Sequence, residues 1–386
     1  MTHPLLLILW FTLASILSHN VWGASKEAAN TLPVQLLLTL PDQFNSPVSA
    51  TLDSVQNLYF SSPNFHNSEL LARGQIHRPP LPAIGLVDGN NQLTTWYQYQ
   101  VADLHPITKQ AAPVGLGLGI DGNMYVTDVQ MWFVGGRERS RLLRIQVADG
   151  QPKYTEVLIE GLNFPSAIAW RGNELYLADA ALKVGKDTHY SGVYRFNIDQ
   201  LSAEKPIKIQ PFYGPDKHDP HLFASYESSG RLGMGATGIT FDSEGNLYIA
   251  IMEEGTILKT QVNDQGEKGA TQVLVDTLIA PFNLNYNPRR NQIFLADMFH
   301  NAAYSLGLDG TLTLLAQNRD EDGKEGALDG PSAVIVRGDQ AVVLNFDALF
   351  NSIYMANQRT GYSFTLSQIT LPAPPFAPTL SDDPQP

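Results

Sequence analysis

One short pattern recurs six times along the chain, and it constrains the architecture more than any single residue does. A Pro-x-small or Ala-x-Gly opening runs through an apolar stretch and a polar turn into a second apolar strand. Pro47-Val48-Ser49 leads to Asn57–Ser62, Pro113-Val114-Gly115 to Asn123–Asp128, and Pro165-Ser166-Ala167 to Glu174–Asp179. Ala236-Thr237-Gly238 leads to Asn246–Ile251, Pro281-Phe282-Asn283 to Gln292–Asp297, and Pro331-Ser332-Ala333 to Gln340–Asn345. The aligned positions 59, 125, 176, 248, 294 and 342 are spaced by 66, 51, 72, 46 and 48 residues. Such spacing suits one four-stranded unit per repeat, with insertions in the first and third. Each unit opens with two nearly continuous apolar strands, as strands buried on both faces do. Alternating strands follow, as in Ala303–Leu308, the turn Asp309-Gly310 and Thr311–Leu314; Asp-Gly between alternating runs is a strong hairpin signal. No helix of convincing period follows the N-terminal segment. Six units of this kind predict an all-β fold, a six-bladed β-propeller with four antiparallel strands per blade, over residues 24–371. The strand-like ends Pro33–Leu40 and Tyr362–Leu371 lie outside the repeats, and one of them is expected to close the ring. The rival, two stacked β-sandwiches, would not repeat one motif six times.

The segments flanking the repeats read differently. Leu5–Leu17 is an unbroken apolar or weakly polar run of 13 residues. It is short for a bilayer span, which takes about 20 residues, and matches the core of a secretory signal. Val21-Trp22-Gly23 offers a small residue before a cut, so residues 1–23 are expected to be a cleaved signal peptide, delivering a periplasmic or secreted protein. The alternative is an uncleaved anchor. The tail 372–386 holds six Pro in 15 residues and is expected to be disordered. The chain has no Cys, which excludes disulfides, thiolate metal sites and a cysteine nucleophile. Its net charge is −13, which argues against nucleic acid or anionic lipid as a partner. A soluble monomer with a small-molecule or protein ligand is expected.

Three segments, PVGLGLGIDGNMYVTD (Pro113–Asp128), FPSAIAWRGNELYLAD (Phe164–Asp179) and GATGITFDSEGNLYIA (Gly235–Ala250), resemble the gluconolactonase/senescence-marker-protein (regucalcin-like) family and the related NHL-repeat propellers. The resemblance covers nearly all of residues 45–371. It implies a six-bladed propeller and, for the lactonases, one divalent cation, usually calcium, at the top of the channel. A Glu, an Asn and an Asp from different blades hold that cation in the family, each from the residue after the blade opening. The cation polarises the lactone carbonyl and a bound water. The matching positions here are Val48, Val114, Ser166, Thr237, Phe282 and Ser332; none is a carboxylate or an amide. Asn283 stands one position off.

Polar chemistry gathers instead where the second strand of each blade returns to the channel mouth. Those ends carry Ser62, Asp128, Asp179, Ile251, Asp297 and Asn345, with Gln130, Trp132, Glu253, Glu254, His300, Asn301 and Asp347 just beyond. The functional reading is a top-face mouth that binds a polar ligand through Asp128, Gln130, Trp132, Asp179, Asn283, Asp297, His300, Asn301, Asn345 and Asp347. In that reading Asp128, Asp179, Asn283 and Asp297 are the candidate metal ligands. The competing reading is that each Asp accepts backbone N–H groups of a neighbouring loop. A second calcium candidate, NRDEDGKEGALD, places Asn318, Asp320 and Asp322 at alternate positions and Asp329 at position twelve, close to the oxygen spacing of a calcium loop. A solvated acidic link between blades is its alternative. Arg137, Arg139, Arg141 and Arg144 read as a solvated strand edge. His218-Asp219-Pro220-His221 reads as loop surface. Two functions are therefore carried forward: an exported, non-catalytic propeller that binds at its top face, and a calcium-dependent lactone or ester hydrolase.

Overall fold

The polar turn inside each repeat reverses the chain, and its chemistry explains why the repeat is visible. In the fourth unit Asp242 accepts the N–H groups of Glu244 (3.0 Å) and Asn246 (2.8 Å), the Asn246 amide (2.8 Å) and the Tyr248 hydroxyl (2.9 Å). Gly245 supplies the left-handed step of that turn at φ +82°, where a side chain would be strained. Asp53 holds Val55, Asn57 and Tyr59 in the same way, and Asp121 holds Asn123 and Tyr125. The recurring Tyr is thus a tie to the bottom-face turn of its own blade.

The computed structural model describes residues 31–185, 188–347, 350, 352–361 and 363–374. The expected signal peptide, residues 1–23, and all but three residues of the tail 372–386 lie outside them. Each repeat forms one antiparallel sheet. The innermost strands, Ala50–Leu52, Pro113–Leu118, Pro165–Arg171, Ala236–Phe241, Pro281–Asn287 and Pro331–Arg337, neighbour one another in that order and return to the first. The architecture is therefore a six-bladed β-propeller. Blades meet through large apolar side chains: Tyr176 of blade 3 packs on Phe241 of blade 4, ring centroids 4.8 Å apart. Aromatic side chains bury about 150–250 Å² each, so such contacts dominate the core.

Both strand-like ends are used in closure, where the sequence suggested one. Thr365–Thr370 is the third strand of blade 6, and Val34–Thr39 pairs with it as the outermost. The ring is thus sealed by joining the first strand to the last three. Blade 2 gains a fifth strand, Ile207–Lys208, lent by the long loop of blade 3 and parallel to Gln151–Leu162. A helix, Asn67–Ala72, sits in the first-blade insertion; six residues are too few to display a period. Among the described residues no helix is long and apolar enough to cross a membrane.

The basic stretch departs from its reading. Ser140–Ala148 is an interior strand of blade 2, paired on both sides. Arg141 is only 5% exposed and donates from Nε to Asp128 at 2.8 Å. Arg144 pairs with Glu156 at 2.7 Å. The charges balance across the sheet, as cross-strand pairs do, so they do not mark an edge.

Candidate functional site

The top face is the end of the ring where each first strand begins and each second strand finishes. Around the channel there, the blade-opening positions knit neighbouring blades together. Ser166 Oγ donates to the Ala236 carbonyl (2.9 Å), Thr237 Oγ1 to that of Pro281 (3.0 Å) and Ser332 Oγ to that of Pro47 (2.9 Å). Blade 1 reaches blade 2 through Ser61 Oγ and the Val114 carbonyl (2.6 Å). Each hydroxyl fills a carbonyl that the inner strand of the next blade leaves unpaired, which a buried site requires. Asn283 goes further. Its amide donates to Ser49 Oγ (2.9 Å), the Val48 carbonyl (3.2 Å) and the Ser332 carbonyl (3.3 Å). It therefore crosses from blade 5 past blade 6 to blade 1 and ties the channel wall at this level.

The strand-end carboxylates turn into the protein. Asp128 accepts the Ala112 N–H and the Gln130 amide, both at 2.7 Å, beside its ion pair with Arg141. Asp179 accepts the N–H groups of Phe164 (2.8 Å), Asn163 (2.9 Å) and Ala181 (3.1 Å). Burial pushes its carboxyl above the usual range, and those three N–H groups pull it back. Asp297 accepts from Ile279 (2.8 Å) and Ala280 (3.0 Å), with His300 Nδ1 3.6 Å away. Asn345 accepts from Asp329 N–H (3.1 Å), and Asn301 from Gly330 N–H (2.8 Å). In blade 4, where the strand ends in Ile251, Glu253 takes over the task by accepting from Leu232 and Gly233 at 2.9 Å each. The strand-end residue thus pins the chain as it enters the same blade. Among the described residues no group of three or more His, Asp or Glu side chains is arranged to hold a metal ion.

What covers the channel is apolar. Val48, Val114, Val129, Phe164, Met234, Met252, Phe282, Met298, Phe299, Phe346 and Met355 form one buried cluster contributed by all six blades. Phe65, Met131, Phe133, Leu232, Ile279 and Phe350 pack around it, partly open. Trp132 lies across the mouth. Its ring meets Phe65 of blade 1 and Phe164 of blade 3, both at 4.8 Å between centroids, and it remains 45% exposed. Beside it Val134 is 99% exposed, and on the long blade-6 loop Ile353 is 91% exposed. The sequence held a signal for this cluster. An apolar residue directly follows the strand end in five blades: Val129, Ala180, Met252, Met298 and Phe346.

One expected top-face residue meets the acidic link instead. Asp347 does not face the mouth but lies buried against Asp329 of the acidic link. Within that link Asn318 accepts the Leu328 N–H (2.8 Å), and the Asp322 carboxylate is held by Lys324 Nζ at 2.6 Å. His221 pairs with Asp219 at 2.8 Å and stacks on Phe196.

No protein-family model and no curated protein matches the sequence. Solved structures do match in fold. A protein of Thermus thermophilus named as an oxidoreductase (glucose dehydrogenase) is 14% identical with TM-score 0.51, covering 88% of this chain and 99% of its own. The PQQ-bound aldose sugar dehydrogenase of Streptomyces coelicolor is 13% identical with TM-score 0.51, covering 87% and 98%. Virginiamycin B lyase of Staphylococcus aureus is 13% identical with TM-score 0.49, covering 88% and 100%. At such identities the likeness to the first two is one of fold alone, and their chemistry is their own.

Proposed function

We propose that this chain is an exported binding propeller that docks the apolar side chains of a protein or peptide partner on its top face. The observation that carries the reading is the mouth itself. Met and Phe side chains from six blades fill it, and Trp132, Val134 and Ile353 project from its rim. Contiguous apolar surface on a soluble protein marks an interaction site, and flexible Met side chains adapt to varied shapes. The gluconolactonase resemblance contributes the scaffold to this proposal. The positions that hold metal in that family carry Val48, Val114, Phe282 and three hydroxyl residues bonded to the next blade or its carbonyls. A hydrated cation has no ligand among them.

The test has two arms. An anilinonaphthalene sulfonate probe is expected to bind the folded chain saturably, at one probe per chain. Trp132→Ala should weaken that binding at least about tenfold, as loss of an aromatic anchor does, while its circular dichroism stays that of the folded parent. In the second arm, chelator-treated protein is assayed on lactones and aryl esters with and without calcium. No turnover is expected. Calcium-dependent turnover abolished by Asp297→Ala would replace the binding reading with the hydrolase.

A further inference from the structure

We propose that Asp329, Asp347 and the main-chain carbonyl of Asp322 form a binding site for a hard divalent cation, calcium by its chemistry, away from the channel. The two carboxylates come from opposite ends of the innermost hairpin of blade 6: Asp329 just precedes Pro331–Arg337, and Asp347 just follows Gln340–Asn345. Each is 3% exposed, and the side chains face one another. Among the described residues one N–H donor reaches each: the Asn357 amide to Asp329 Oδ1, and the Gly361 N–H to Asp347 Oδ2 at 2.6 Å. Among the described residues no donor reaches the buried Asp347 Oδ1, nor Oδ1 of nearby Asp320.

Buried carboxylates need compensation, because desolvating an unpaired charge is costly. Among the described residues no cation of the protein supplies it. Lys324 is engaged by the Asp322 carboxylate, and exposed Arg359 stands 3.9 Å from the other oxygen of Asp320. Burial holds both carboxyls above the usual range, helped at Asp347 by the charge of Asp329 and at Asp329 by those of Asp320 and Asp322. The surroundings provide a cradle. A Cβ on Gly361 would fall 3.1 Å from the Asp322 carbonyl oxygen and 3.2 Å from Asp329 Oδ2, so both oxygens border one gap. That gap opens to a cavity of about 410 Å³ lined by Asp320, Glu321, Asp322, Arg359, Thr360 and Gly361. Two carboxylates, a carbonyl and water from this cavity make the all-oxygen, partly hydrated set that calcium accepts. The ligands differ from those of a contiguous calcium loop, since the Asn318 and Asp322 side chains are spoken for and Asp347 arrives from 18 residues beyond Asp329.

The experiment uses the full chain, stripped with a chelator, dialysed, and titrated with calcium chloride at pH 8. Calorimetry is expected to find one calcium per chain. The melting temperature should rise by about 3 °C or more once calcium exceeds its dissociation constant a hundredfold. Asp329→Asn and Asp347→Asn should each abolish the rise. Both should still fold without calcium, because each removes a repelling charge. Gly361→Ala keeps both carboxylates and puts a methyl group in the gap; it should weaken calcium at least about tenfold. Asp322→Asn should bind as the parent does. No heat and no melting shift at millimolar calcium would overturn the proposal in favour of a proton shared by the pair. A shift that survives Asp329→Asn and Asp347→Asn, or disappears in Asp322→Asn, would overturn it too. The Trp132→Ala variant should keep the full calcium response, so this site and the top-face reading fail separately.

Discussion

Asp128→Ala is expected to cost about 3–5 kcal/mol of folding stability, the range for removing one partner of a buried ion pair. The loss has three parts. The Arg141 guanidinium, 5% exposed, would keep only the Asp103 carbonyl, 3.0 Å from Nη2. The Ala112 N–H and the Gln130 amide would lose their shared acceptor. Each buried polar group left unsatisfied costs about 1–3 kcal/mol. Urea unfolding of parent and variant measures the sum. The double variant Asp128→Asn/Arg141→Met, which removes both charges and keeps similar volume, should recover a large share of the loss, because the penalty comes from the stranded charge. An unchanged midpoint for Asp128→Ala would return Asp128 to the list of groups held ready for a ligand. By contrast the Glu69–Arg73 pair on the first-blade helix, exposed on both sides, is a surface pair of small worth, and Glu69→Ala should barely move the midpoint.

That contrast explains what could be read in advance. The propeller was legible because the Asp-x-x-x-Asn-x-Tyr turn of Asp242, Asn246 and Tyr248 is a local device. Its donors and acceptors lie within seven residues, so the sequence displays it whole. The strand-end carboxylates are less transparent. Asp179 and Asp297 each reach back 15 to 18 residues to N–H groups of the strand entry, and a backbone donor leaves no trace in the sequence. Type and spacing of the residue cannot distinguish an Asp pinned in this way from one open to a ligand. Arg141 misled for a related reason: its alternation suggests an exposed edge, but its partner Asp128 stands on the preceding strand. The meeting of Asp329 with Asp347 needs the whole hairpin between them to be in register.

Asn283 provides the second large effect, and it separates backbone strain from hydrogen bonding. The residue sits at φ +46°, a left-handed conformation that Asn tolerates and a β-branched residue does not. Gly238 of blade 4 approaches so closely that a Cβ there would lie 2.8 Å from the Asn283 Cα, so the backbone has no room to relax. Asn283→Gly keeps the conformation and removes the donations to Val48, Ser49 and Ser332. It is expected to cost about 2–4 kcal/mol through unsatisfied buried acceptors. Asn283→Val removes the same bonds and adds strain of about 1–3 kcal/mol, so it should be the less stable of the two by that margin in urea unfolding. The ordering also decides what Asn283 is for. A residue kept mainly to bind a cation would leave metal-free stability untouched when changed to Gly. A residue that ties blade 5 to blades 6 and 1 across the channel must lower it, because a closed ring transmits the loss of one inner contact to its neighbours.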